Sequence, residues 1–153
     1  MTEATEQRSM TVGRDYIGVG VGVVILNEVG EVLLLQRSQN VRNERGCWEL
    51  PGGEVEFNES MSDAAVREAK EEADLDITIE EQLVTVDHIL PKESQHWVST
   101  LFIGRAEPGQ APRIVETEKC DALGWFALSA LPNPLSTVTE HKLALYRKHT
   151  RTE

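Results

Sequence analysis

The stretch from Gly52 to Leu75 reads GGEVEFNESMSDAAVREAKEEADL. A glycine-rich turn follows the short apolar piece Trp48–Pro51, and a segment of helical period closes the stretch. Ser60 is placed as an N-cap. Met61, Ala64, Ala65, Val66, Ala69 and Ala73 recur at steps of three and four, the spacing of an amphipathic helix with that stripe buried. Glu68, Glu71 and Glu72 then fall within one arc of roughly 100°, because positions i, i+3 and i+4 are neighbours on a helix surface. Like charges so placed cost a few tenths of a kcal/mol per pair. A cation among them reverses the sign, and oxygen donors at this density suit Mg2+ or Mn2+. A solvated acidic face is the plainer meaning of the same three residues. Gly52 and Gly53 favour the cation, since they permit the close backbone approach that a turn facing a metal or phosphate needs.

Gly53, Glu59, Arg67, Glu68, Glu71, Glu72 and Leu75 keep the spacing G-x5-E-x7-R-E-U-x-E-E-x-G-U, where U is aliphatic. At these positions the segment resembles the Nudix box. Ala69 stands where a larger aliphatic is usual, which implies a tighter or differently filled pocket under the helix. Asp74 replaces the glycine that ends the helix and Asn58 another frequent glycine; both residue types tolerate left-handed backbone. The resemblance implies an α+β chain with the Nudix fold, a mixed β-sheet sandwiched between helices, over roughly residues 16–149. The ending Trp125–Pro132, W-F-x-L-x-x-L-P, looks most like MutT-type nucleoside triphosphate pyrophosphatases.

Several roles are implied by that resemblance. The Gly52 carbonyl and the carboxylates of Glu68, Glu71 and Glu72 would hold Mg2+, or Mn2+ in its place, while Glu59 and Arg67 pair and brace the turn against the helix. Glu118, beside Lys119, would bring a further carboxylate from a later loop, with Glu116 as its substitute. A diphosphate bridge is shielded by its own negative oxygens, so cleavage needs cations to neutralise them and an aligned water. The water's proton would pass to a box glutamate, Glu68 first, with Glu71 or Glu72 in reserve. The implied reaction converts an ordinary or oxidised nucleoside triphosphate to a monophosphate and pyrophosphate. Hydrolysis of ADP-ribose or a nucleotide sugar is the enzymatic alternative. A nucleotide-sensing module without turnover is the third, and the complete set of box glutamates disfavours it.

At 153 residues and 40% hydrophobic the chain holds one domain with a real core, placed over residues 15–153. Met1–Arg14 is polar and aperiodic and reads as a mobile tail, with no apolar span for export or membrane insertion. Cys47 and Cys120 have no C-x-x-C spacing and read as reduced thiols of a cytoplasmic protein. The net charge of −11 argues against a nucleic-acid polymer as partner. A small nucleotide would bind such a surface through divalent cations. Nothing in the sequence sets the oligomeric state, and a homodimer is compatible with it.

Tyr16–Asn27, with Gly18, Gly20 and Gly22 among its valines, and Glu31–Arg37 form a hairpin around Gly30. The glycines serve sheet twist or close backbone packing, with a base lying on that surface as the alternative. Arg37, Arg42 and Arg45 are candidate phosphate contacts. Beyond the box helix, Ile77–Ile89 and Trp97–Ala106 are strands about a turn, and the W-F-A-L run from Trp125 is a buried strand. Thr137–Lys148 is helical through Val138, His141, Leu145 and Lys148. Trp97 and Phe126 are core aromatics or stack on a base. Asn133 is either a base-reading amide or an ordinary Asn-Pro turn. His88 and His96 flank the turn after the long strand, where they either line the cleft or face solvent; their spacing makes no zinc motif, and solvent is the plainer reading.

Overall fold

Nine residues of mixed glycine and aliphatic character, Gly18–Leu26, form the first strand, β1, in a computed structural model that describes residues 9–151. Val21, Val23 and Ile25 point to one face and Val24 and Leu26 to the other, so both faces are buried. A strand covered on both sides reads as a near-continuous apolar run, and this one does. Asn27 turns the chain: its Oδ1 accepts the N–H of Val29 at 3.2 Å and of Glu31 at 2.9 Å, and Gly30 takes a φ of 80°. The predicted hairpin to β2 (Val32–Arg37) is present, but its ladder contains one register pair, Leu26 with Val32.

Beyond that pair β1 and β2 diverge, and another strand takes up the free edge. Gly52–Glu54 is this strand, β4, antiparallel to β1 with Gly22 opposite Gly52 and Gly20 opposite Glu54. The sequence suggested a turn there. Glycine propensity argues for turns, but a bare strand is what fits between β1 and the box helix. β3 (Trp48–Glu49) lies on β2, and β7 (Cys120–Phe126) pairs with β2 as well. On its far side β1 runs parallel to β6 (Gln95–Ala106), and β5 (Ile77–Leu90) closes the sheet antiparallel to β6. The sheet is therefore mixed.

The box helix, α1, spans Met61–Ala73. Ser60 caps it by accepting the N–H of Asp63 at 3.1 Å, and Asp74 ends it in the left-handed region with φ 55°. Asn58 has φ 67°, so both substituted glycine positions keep the backbone that glycine would supply. Ala64, Ala65, Ala69 and Ala73 are fully enclosed against Val21, Val23, Ile25 and Phe102. Val66 departs from the expected stripe and faces solvent, while Glu68 is buried with the alanines.

The second helix, α2 (Thr137–Thr150), covers the opposite face with Leu143 and Tyr146 on Val24, Leu34, Leu101 and Ile103. Its inward positions are Thr139, Lys142, Leu143 and Tyr146, one residue round from the predicted line through His141 and Lys148. The Leu50 N–H donates to Thr139 Oγ1 at 3.0 Å, which fixes that rotation.

Residues 1–8, most of the segment read as a tail, lie outside the described residues. The rest of it departs from that expectation. Gly13 N–H donates to the Tyr16 carbonyl at 2.8 Å and the Gly13 carbonyl accepts from His96 N–H at 2.7 Å, so this turn docks on the sheet. Cys47 and Cys120 are free thiols. Among the described residues no helix is long and apolar enough to cross a membrane.

The enclosed alanine face predicts that Ala69→Ile, the larger aliphatic, overpacks the α1–β1 interface. A loss of about 1–3 kcal/mol in urea denaturation is expected; a variant as stable as the parent would mean that slack space lies beneath the helix.

Candidate active site

Arg67 organises the outer half of the box. Its Nε and Nη2 grip Glu59 at 2.7 and 2.9 Å, Nη2 also reaches the Glu54 carbonyl at 2.9 Å, and Nη1 donates to Glu68 and Glu71 at 3.0 and 3.1 Å. The hydrogen bonds from Arg67 hold the Glu59 carboxyl down at about 2, helped by the Glu56 N–H. The expected brace is therefore a bidentate ion pair joining the loop after β4 to α1.

The inner half is crowded by design of the backbone. A Cβ on Gly52 would overlap the Val21 carbonyl, and one on Gly53 would overlap the Glu68 carboxylate. Glu68 is buried and lies on Gly53, while Glu72 Oε2 accepts the Gly52 N–H at 3.4 Å. Burial raises the Glu68 carboxyl. It raises Glu72 well above the usual range, and the nearby charges of Glu68 and Glu49 push the same way. Glu49 is raised by burial too, opposed by Arg37, whose Nη1 donates to it at 3.1 Å. Carboxylates stripped of water and set beside one another are a donor set that a hard divalent cation satisfies.

The box glutamates do not act as one cluster. Glu68 and Glu72 turn inward, whereas the Glu71 side chain is about half exposed (51%) and pairs with Arg67. Among the described residues no three acidic, histidine or cysteine side chains already converge as a ligand set. Glu118 is exposed and contributes only its carbonyl, accepting from Ser38 Oγ. Glu116 instead lines a small cavity with Glu49 and Glu72, and its carboxylate meets Lys119 at 3.2 Å. The substitute named from the sequence is thus the better placed of the two.

Two adjoining cavities, of about 290 and 330 Å³, form a cleft that shares Arg37, Glu49, Val138 and Lys142 as a common wall. One end reaches Gly52 and Glu72; the other is lined by Trp97, Leu90 and His88, with Gly53 between. Arg37 lies in the wall with its guanidinium held by Glu49 and by the carbonyl and Oδ1 of Asn43. Trp97 packs its ring where side chains at Gly13 and Gly18 would stand, and its Nε1 donates to Gln95 at 2.8 Å. Asn133 is exposed and absent from the lining; its neighbours Ser136 and Val138 line the cleft instead.

Sequence reasoning passed over Glu49, Ser99 and Lys142, and for His88 it preferred solvent over the alternative, a place in the cleft lining, which is where the structure puts it. His88 is 7% exposed and Lys142 is 5% exposed. Lys142 occupies the space left by Gly22, where a Cβ would lie 2.6 Å from its Nζ. A lysine in an amphipathic helix reads as surface, and only its spacing with Thr139, Leu143 and Tyr146 hinted otherwise.

The NUDIX domain family matches residues 17–148. The chain belongs to the Nudix family. It is 36% identical over 114 residues to the human 8-oxo-dGDP phosphatase, covering 73% of this chain and 33% of that protein. A putative 8-oxo-dGTP diphosphatase of Bacillus subtilis is 31% identical over 113 residues, with 74% of this chain and 68% of the relative covered. The chain thus spans about a third of the human relative's length. Among solved structures, a MutT NUDIX hydrolase from Burkholderia pseudomallei superposes with a TM-score of 0.72 at 40% identity, covering 86% of this chain and 97% of that one.

Burial holds the Lys142 ammonium down at about 8, below its ordinary 10.5, although Glu49 opposes the shift. Below pH 8 the folded protein must keep this charge out of water, and between 8 and 10.5 the unfolded chain binds the extra proton, so the cost fades as pH rises. Lys142→Met is therefore expected to be more stable than the parent by about 2 kcal/mol at pH 7 and nearly equal to it above pH 10. Urea midpoints at the two pH values check this. A difference that does not change with pH would assign the effect to packing.

Proposed function

We propose that the protein hydrolyses a nucleoside triphosphate, ordinary or oxidised, to a monophosphate and pyrophosphate with Mg2+, or Mn2+ in its place. One observation carries the proposal. The buried Glu72 carboxyl stands with the bare Gly52 backbone at one end of a cleft whose other end is lined by Trp97 and Leu90, and the Glu68 carboxylate lies directly against the neighbouring Gly53. A polyphosphate fits the acidic end only with divalent cations, and a base fits the aromatic end. The names of the Bacillus and human relatives, a diphosphatase and a phosphatase of oxidised guanine nucleotides, support the same substrate class.

Glu68, Glu72 and the Gly52 carbonyl would hold the cation, with Glu71 and Glu116 at its margin. When bound, it neutralises phosphate charge and favours attack on phosphorus. The chain's own residues do the rest. Arg67 anchors Glu68 through Oε1, which fixes the plane of the carboxylate that we assign as acceptor of the attacking water's proton. Glu59 keeps Arg67 in place, and through it the turn. Arg37 orders the wall through Glu49 and Asn43 and presents positive charge to the phosphates. Glu118 has no part in this scheme.

The test is turnover of a panel of nucleoside triphosphates, 8-oxo-dGTP, ADP-ribose and nucleotide sugars with Mg2+, products being resolved by chromatography. Glu68→Gln and Glu72→Gln are each expected to lower kcat by about 10²–10⁴ and to abolish the rise in Tm that Mg2+ gives the parent. Cleavage of ADP-ribose or sugar nucleotides alone would replace the substrate class. Metal-dependent nucleotide binding without turnover of any substrate would make the protein a sensor.

A further inference from the structure

The face of β1 that carries Gly18, Gly20 and Gly22 borders the cleft, with Gly20 lining its aromatic end and Gly22 the end that reaches Glu72. Trp97 fills the place over Gly18 and Lys142 the place over Gly22. Between them Gly20 is closely bordered: a Cβ there would meet the Gly53 carbonyl at 3.2 Å, Trp97 at 3.5 Å and Ser99 Oγ at 3.9 Å, and Gly20 lines the cavity together with Trp97, Ser99, His88 and Lys142.

Two polar groups border it that the proposed hydrolysis does not use. The Lys142 ammonium donates to Ser99 Oγ at 2.8 Å, its one side-chain hydrogen-bond partner among the described residues. Glu49, the acid that it feels, is engaged by Arg37. His88, packed edge-on against His141 at 5.9 Å, has a buried Nε2 with no hydrogen-bond partner among the described residues. Both side chains line the same cavity as Trp97. An unpaired polar atom at such burial costs stability unless something completes it.

Building on the nucleotide reading, we propose that Lys142, Ser99 and His88 form the subsite that reads the base, and that it accepts a base with a ring keto oxygen over one with an amino group at that position. An ammonium is a donor only, with three N–H groups of which one is used on Ser99. The Ser99 hydroxyl, already accepting from Lys142, is left with its own hydrogen to donate. A keto oxygen accepts from both. An exocyclic amino group would set N–H against N–H and leave donors on each side unpaired. Neutral imidazole Nε2 either donates or accepts according to tautomer, so His88 completes the pairing to a neighbouring ring nitrogen without setting the preference. The discrimination therefore rests on Lys142 and Ser99.

Equilibrium binding of IMP and AMP, two monophosphates with the same sugar and phosphate, tests this without hydrolysis. The parent is expected to bind IMP about tenfold or more tightly than AMP, the order that one unpaired buried polar group gives. Lys142→Met and Ser99→Ala should bring the ratio close to one, chiefly by weakening IMP. Lys142→Gln, whose amide can also accept, should do so partly by strengthening AMP. Equal affinities in the parent, no measurable binding of either monophosphate, or variants that lose both ligands in parallel would overturn the proposal, the last by assigning Lys142 to the phosphate or to packing. Selective IMP binding by a protein that hydrolyses no nucleotide would uphold the subsite and sink only the hydrolase reading.

Discussion

A side chain on Gly52 would strike backbone, and one on Gly53 would have to push a carboxylate aside. The first lies against the Val21 carbonyl and the second against the Glu68 carboxylate, so the backbone of β4 is wedged between the central strand and the box helix. That wedge holds β1 away from β2 beyond Leu26 and Val32, and so opens the cleft. It also gives Glu68 and Glu72 a wall of peptide groups instead of water. The absence of two Cβ atoms lets these carboxyls come in against the backbone, where burial raises both and the neighbouring acids raise Glu72 further.

Charge is distributed around this wedge with a consistent logic. The chain carries −11 overall, yet the cations that matter are each committed to a place. Arg67 balances Glu59, Glu71 and one oxygen of Glu68 on the outside of the box. Arg37 balances Glu49 on the opposite wall. Glu72 is raised by the charges of Glu68 and Glu49 beside it, an arrangement that suits a divalent ion. On the other face of the sheet Lys142 is the converse, a buried cation whose nearest acid is already engaged. The buried acid and the buried cation both line one cleft, Glu72 at the end that carries Gly52 and Lys142 in the wall that runs on to Trp97 and His88.

Each device carries a cost in stability that the surrounding core offsets. α1 presses four alanines onto β1, so its axis comes close enough for Glu68 to reach Gly53. α2 is tied through Thr139 to Leu50, which turns Lys142 inward instead of leaving it in solvent. Tight packing on one side of each helix is what holds a charged group on the same side in an environment it would not choose.

The features that depend on spacing along a few turns of chain were legible in the sequence. Ser60 as cap and the Asn27–Glu31 hairpin involve residues within a few positions of one another, and residue type is enough to specify them. The Glu59–Arg67 brace and the left-handed Asn58 and Asp74 were implied by the resemblance to the Nudix box. What joins distant segments was decided only by the tertiary structure. The parallel union of β1 with β6, the recruitment of Gly52–Glu54 as a strand, the position of Glu116 in a cavity with Glu72 and the burial of His88 and Lys142 all turn on which face of an element meets a partner far along the chain. Local periodicity gives the faces of a helix or strand but not the rotation at which it docks. Thr139 and the bare floor at Gly22 set that rotation for α2, and a lysine that reads as surface becomes part of the site.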